Sequence, residues 1–298
     1  MTKWQTDPQL GLRVGVMLIA AVLLVDGGLI TWAATHAVNI WTFVAVLLVL
    51  ASVLAVGIIV YSLNGLIHSD YTLDRNTFTI TWGPNEQVIP TPDIERVVAG
   101  KDVTGRVRFR GIRWPGLWAG YGKVDGIGPT LFYASAPIDQ QAFLVTSGLT
   151  YAVSPEDLEG FLLTLQTRMQ MGPTQLVEPE SFGPEFLQWD FWQDWLGMSL
   201  LIGASIAVAV LFGYLCAQFP ALPRLLPLHF DAAGEPDRLG PQGQIFFLPL
   251  IGLIVLLANS ALGMLLYRRE RMAAYLLWGG AAAVQVFIWA AVLGILVT

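Results

Sequence analysis

Cysteine is nearly missing from this chain: Cys216 stands alone among 298 residues, so neither an internal disulfide nor a cluster needing several thiolates can form. Charge is scarce as well. Asp, Glu, Lys and Arg make up 13% of the sequence, against about 25% in an ordinary soluble domain, which implies that much of the surface faces something other than water. The 16 Lys and Arg are outnumbered by 22 Asp and Glu, for a net charge of -6 and a pI near 5.0. That balance excludes the clustered cationic footprint of a nucleic-acid-binding protein. Catalytic signatures are lacking too: there is no Gly-x-Ser-x-Gly elbow, no phosphate-cradling Walker loop and no His-Glu-x-x-His pair, and His36, His68 and His229 are dispersed. No catalytic residue and no cofactor is therefore assigned, and a non-enzymatic role is expected.

What is abundant is apolar residues, 55% of the chain with a mean hydropathy of +0.60. They gather in five runs, about 12–35, 38–62, 195–218, 244–267 and 272–296, each near the ~20 residues that a helix needs to cross about 30 Å of hydrocarbon. The first run is too long for a signal-peptide core and lacks a small-residue cleavage site. A second run follows directly after His36–Asn39, so the pair reads as a retained hairpin. Lys3, Arg13, Arg268, Arg269 and Arg271 fall on one side of the alternating spans, and Arg224 and Arg238 on the other. Positive residues favour the cytoplasm, which predicts a multi-pass protein of the cell (inner) membrane with a cytoplasmic N-terminus and an extracytoplasmic C-terminus. The stretch before the third span carries Phe182, Phe186, Trp189, Phe191, Trp192 and Trp195, rings suited to the headgroup level as an aromatic belt.

Between the second and third spans the pattern changes. β-Branched and aromatic residues alternate with polar ones over 71–74, 77–82, 86–89, 94–99, 106–112, 130–135, 142–147 and 150–154, with turns at Arg75-Asn76, Gly83-Pro84-Asn85 and Ser147-Gly148. The glycines of GLWAGYG and YGKVDGIG read as turns. A helix is expected from about Ser154, with Ser154 as cap and Pro155 in the first turn; Leu158, Phe161, Leu162, Leu165 and Met169 give it one apolar stripe. The predicted organisation is a transmembrane hairpin (1–67), a cytoplasmic domain (68–178), and a three-helix transmembrane unit (179–298) with an extracytoplasmic loop at 219–243.

About seven antiparallel strands closed by one amphipathic helix is the order of a pleckstrin-homology (PH)-like barrel. The segment resembles bacterial PH-like domains at Ile89-Pro90 through Asp93-Ile94, at Tyr151 to Pro155, and in the middle segment RGIRWPGLWAGYGKVDGIG. The resemblance implies a soluble β-barrel with one C-terminal helix beside five transmembrane helices. Such barrels host lipid, peptide and protein binding alike.

Three groups of residues are candidates for contact. Arg106, Arg108 and Arg110 share one side of a strand by alternation, and Arg113, Trp114 and Trp118 follow them. Cations beside indoles suit anionic headgroups of the bilayer or a protein or peptide partner, although the domain as a whole is net acidic and a solvated strand face accounts for the same pattern. In the outer loop, His229, Asp231, Glu235 and Asp237 surround Gly234. Pro227, His229, Phe230, Gly234, Pro236 and Asp237 are similar to a segment of unknown function found in bacterial membrane proteins, including immunity proteins of the Sdp bacteriocin type. That resemblance implies ligand or toxin recognition; the alternative is a structural hairpin with Arg238 as counter-ion, and one histidine is too few to assign a metal. Within the spans, Asp26, Asn259 and Gln285 are polar, with Gln285 near mid-depth and able to bridge the other two; proton or ligand handling competes with simple interhelical hydrogen bonding. The roles in view are a docking or regulatory protein, an immunity-type or toxin-sensing protein, and a small proton-coupled transporter.

Overall fold

The computed structural model describes residues 2–175, 177–183, 189–230 and 236–297, with backbone alone for 228–230, 236–238 and 297. Five helices are long and apolar enough to cross a membrane. They are α1 (Gln9–Thr35), α2 (Ile40–Ile67), α4 (Trp195–Gln218), α5 (Phe247–Tyr267) and α6 (Arg271–Val297), while α3 (Leu158–Met171) belongs to the soluble domain. Their starts follow local chemistry. The Asp7 carboxylate accepts from the Gln9 amide at the head of α1. Asn39 Oδ1 accepts from the amides of Trp41 and Thr42 while Thr42 Oγ1 accepts from the Asn39 amide, a reciprocal cap on α2. Asp194 caps α4 by accepting from the Gly197 amide.

The chain divides into two compact units, residues 1–25 with 52–187 and residues 26–51 with 188–298. In the first, a five-stranded sheet has the order β1 (Thr2–Gln5), β2 (Ser69–Leu73), β3 (Thr77–Trp82), β4 (Asn85–Pro90), β11 (Glu180–Phe182). A six-stranded sheet has the order β5 (Ile94–Ala99), β9 (Ala142–Thr146), β10 (Thr150–Val153), β8 (Gly128–Ala134), β7 (Leu117–Val124), β6 (Val107–Trp114). Tyr71, Phe78, Ile80, Leu144 and Val153 are fully or nearly fully buried with Phe161 and Leu165 of α3, so the apolar stripe of the helix covers the core as its spacing predicts.

Several expectations change. Two sheets stand where one closed barrel is expected, and β8 pairs with β10 in parallel rather than antiparallel. In the glycine-rich middle, Gly116 and Gly126 lie in turns as expected, whereas Gly120 and Gly122 belong to strand β7, paired along its length with β6. Gly111 lies opposite Gly120, with φ of 151° and 150°. A Cβ on Gly120 would come within 2.6 Å of the Arg110 carbonyl oxygen, so the glycines allow a backbone approach that side chains forbid. The cap of α3 is Asp157, which accepts from the Gly160 amide, because the Ser154 hydroxyl is taken by the Ser135 amide at 2.7 Å. Two short strands, β1 and β11, escape a reading based on alternating apolar residues. They are added to the two edges of the first sheet by backbone pairing.

In the second unit α6 touches both neighbours: the Trp289 indole donates to the Ala207 carbonyl of α4, and the Gln285 amide to the Gly252 carbonyl of α5. A hairpin of β12 (Leu225–Phe230) and β13 (Pro236–Pro241) fills the loop between α4 and α5, with His229 opposite Arg238.

Candidate functional site

The soluble domain is built onto the feet of the first hairpin. Strands β6 and β7 meet at the turn Pro115-Gly116, where Gly116 has φ +86° and its backbone packs against Gly11 in the first turn of α1. The Trp114 indole donates to the Gly11 carbonyl at 3.1 Å. Trp114 and Leu117 join Leu63 and Leu66 of α2 and Trp82 of β3 in one buried cluster. Beside it, Thr6 and Ser69 hydroxyls are hydrogen-bonded to each other, and Ser69 donates to the Leu66 carbonyl. One side of the last turns of α2, with Leu63, Gly65 and Leu66, is thus buried against the domain, while Tyr61, Asn64 and Ile67 on the other side stay exposed.

From this seat β6 runs outward with its faces sharply divided. Ile112 and Trp114 point to the cluster on the hairpin, and Arg108 and Arg110 continue the same face into solvent. Cross-strand, Arg108 lies opposite Lys123 and Arg110 opposite Tyr121, both exposed. The other face carries Phe109, packed on Trp118 and Phe132, and then Arg113, whose guanidinium stacks 3.8 Å from the Trp118 ring centre. Of the residues named from sequence, Arg106, Arg108, Arg110 and Arg113 are exposed, whereas Trp114 and Trp118 are buried at 9% and 6% exposure. The two indoles therefore anchor the strand and offer no surface to a headgroup or partner. Arg108 has one acidic neighbour, Asp125, at 3.9 Å. Tyr121 and Lys123 are part of this face and escape the sequence reading, because their strand looks like a loop until its glycines are placed.

Behind this sheet Tyr71 ties three strands. Its hydroxyl donates to the Tyr133 carbonyl at 2.6 Å and accepts from the Ser154 amide at 3.1 Å. Burial pushes the Tyr71 phenol well above its ordinary pKa, and burial likewise pushes Tyr133 up to about 12. A nearby cleft of about 440 Å³ is lined by Asp7, Ser135, Ser154 and Glu156. Of its polar groups, Asp7 caps α1, the Ser154 hydroxyl accepts from the Ser135 amide, and the Glu156 amide donates to the Gln5 carbonyl.

In the second unit, Asp194 gathers hydrogen bonds from the hydroxyls of Tyr267 and Tyr275 at 2.8 and 2.7 Å and from the Gly197 amide. Desolvation opposes its charge, yet the donors Tyr275, Gly197, Tyr267 and Leu196 together hold its carboxyl below the ordinary range. Arg271 pairs with Asp190 at 2.6 Å. Of the expected aromatic belt, Trp192 and Trp195 are exposed, while Phe191 is buried against Tyr267 and Trp278; Phe186 lies outside the described residues. Deeper in the bundle, Gln285 donates to Gly252 and Ala281, and Asn259 donates to Val255 of its own helix. These amide donors end on backbone carbonyls, and Asp26 is half-buried in α1. In the loop between α4 and α5, Asp231 and Glu235 lie outside the described residues, and for His229 and Asp237 only the backbone is described. Among the described residues no cluster of metal-ligating side chains occurs.

Comparison with known proteins finds two family matches. Residues 69–169 match the family described as Bacterial PH domain. Residues 206–253, spanning most of α4, the hairpin and the start of α5, match a domain of unknown function, DUF1648. A bacterial PH-like domain and a segment of unknown function are thus joined in one multi-spanning membrane protein. An uncharacterized protein of Archaeoglobus fulgidus is 40% identical over 55 residues, which covers 18% of this chain and 30% of that relative. No solved structure matches. The loop match supplies a family and no activity, and nothing in it points specifically to immunity proteins.

Proposed function

We propose that this chain is a non-enzymatic protein of the cell (inner) membrane that holds its PH-like domain in the cytoplasm as a docking or regulatory module. The observation that carries the proposal is the seat formed by Trp114, Gly11 and Gly116. A module meant only to be tethered needs a flexible linker, whereas one fixed against its helices presents a surface in a set orientation. That surface is the solvent end of β6 and β7, with Arg106, Arg108, Arg110, Tyr121 and Lys123 exposed together. Cytoplasmic placement rests on the excess of Lys and Arg at the N-terminus and between α5 and α6.

The test is site-specific photo-cross-linking in native membranes, with the photoreactive residue at Tyr121. A discrete adduct that disappears in the Arg108→Glu/Arg110→Glu chain supports docking through this face. Absence of an adduct at Tyr121, and also at exposed positions on α3 such as Leu163, would reject the docking role. Protection of residue 148 from protease in sealed inside-out vesicles would reject the cytoplasmic placement.

A further inference from the structure

We infer that β6 is an acceptor edge for an acidic extended peptide, which would add to the six-stranded sheet as a seventh strand. The inference rests on the docking role above and names the partner. Strand β6 ends the sheet, and no described strand pairs with it on the far side. The Asp125 amide donates to the Arg106 carbonyl, which fixes the parity of the ladder: Arg106, Arg108, Arg110, Ile112 and Trp114 turn their backbone groups toward β7. By the alternation of antiparallel pairing, Val107, Phe109, Gly111 and Arg113 turn theirs to the open side. Eight residues is a long edge, and Gly111 at its centre has no side chain to keep another backbone away.

Charge selects the occupant. Arg108 and Arg110 stand on one face of the sheet and Arg113, held on Trp118, stands on the other. A strand laid along this edge sends its side chains alternately to both faces, so acidic residues on either face meet a cation. A second copy of the chain would bring arginines against arginines, which opposes self-pairing. A lipid leaflet is flat and would engage the arginines of one face only, leaving Arg113 and the open backbone groups unused.

The test uses the full chain in nanodiscs of phosphatidylcholine and three labelled octapeptides: alternating Glu and Val, the same sequence N-methylated at every residue so that neither edge can donate, and alternating Lys and Val. The proposal expects saturable binding of the first, at least about tenfold weaker binding of the other two, and a similar loss for the Arg108→Glu/Arg110→Glu chain. Equal binding of the N-methylated peptide would show that charge alone is read and would overturn strand addition. No binding of any peptide, or complete displacement by phosphatidylglycerol at a third of the nanodisc lipid, would overturn it as well, the latter in favour of a leaflet contact. Failure here with a persisting Tyr121 adduct removes only the peptide strand, whereas absence of adducts at both Tyr121 and the α3 positions removes the docking role itself.

Discussion

The Trp114 indole N–H is bonded to the backbone carbonyl of Gly11 across 103 residues of sequence, and both partners are buried. This single bond joins a turn of the soluble domain to the first turn of a membrane helix, next to a backbone contact that only glycine on each side permits. Trp114→Phe keeps an aromatic side chain and deletes the donor, at a cost of about 1 kcal/mol for the lost bond, to which the void left by the smaller ring adds. Gly11→Ala should cost more, because its methyl would fall on the Gly116 carbonyl and displace Leu66. Thermal unfolding in detergent should rank the two in that order, and limited proteolysis should show the domain released from α1 in Gly11→Ala first.

Tyr71 makes the soluble domain sensitive to alkali. Its phenol and that of Tyr133 are held protonated by burial, Tyr133 up to about 12. The unfolded chain gives up these protons near the ordinary phenol value of about 10. Stability is therefore full below pH 10 and declines as pH rises toward the folded values, since the folded state keeps protons that the unfolded state loses. Tyr71→Phe should remove much of that alkaline slope. It should also lower stability at pH 7 by about 2–4 kcal/mol, because the Tyr133 carbonyl and the Ser154 amide both lose a buried partner. Unfolding followed at intervals from pH 8 to 11 measures both effects, and an unchanged slope would show that Tyr71 does not govern it.

How much of this is legible in the sequence depends on the kind of interaction. The five spans need only length and apolarity, and the expected runs lie within a few residues of the helices found. Strands β2, β3 and β9 alternate or bury in ways that side chains announce. Strand β7 is different. Gly120 and Gly122 stand where larger side chains would collide with the Arg108 and Arg110 carbonyls and with Phe132, so the requirement for close approach erases the pattern by which a strand is recognised. Strands β1 and β11 are held by backbone bonds to β2 and β4, and such bonds carry no residue signature. At the candidate site Arg106, Arg108 and Arg110 alternate along the chain and all three are exposed. The burial of Trp114 and Trp118 was out of reach because it depends on Gly11, Leu63 and Phe132, residues far away in the chain.

Asp194 makes the three-helix unit sensitive to acid in the opposite sense. Its carboxylate accepts from Tyr267, Tyr275 and the head of α4, and its pKa is lowered in the folded state. That stabilisation is present above the ordinary carboxylate value of about 3.9 and is lost as pH falls through the folded value. Asp194→Asn should retain the cap of α4 in large part and flatten the acid limb. Asp194→Ala should also lose the cap, at about 0.5–2 kcal/mol. Unfolding of the full chain in mixed micelles between pH 6 and 3 separates the two, and an acid limb that persists in Asp194→Asn would place its origin at another carboxylate.

Gln285 tests whether the polar groups within the spans serve structure. Its amide nitrogen is bonded to the Gly252 carbonyl at 2.9 Å, while its buried Oε1 has no hydrogen-bond partner among the described residues. A side chain kept for stability alone would have both ends satisfied, since an orphan acceptor in hydrocarbon is costly. Replacing it by Met deletes one interhelical bond, worth about 0.6 kcal/mol on average inside membranes, and removes the orphan oxygen at the same time. Gln285→Met should therefore change stability by less than about 1 kcal/mol. Gly252→Ala, whose methyl would sit 2.6 Å from that oxygen and 2.8 Å from Ile288, should destabilise more strongly. If Gln285→Met instead unfolds the bundle, the glutamine is structural. If stability is retained and the cellular phenotype is lost, the free oxygen has a role beyond packing.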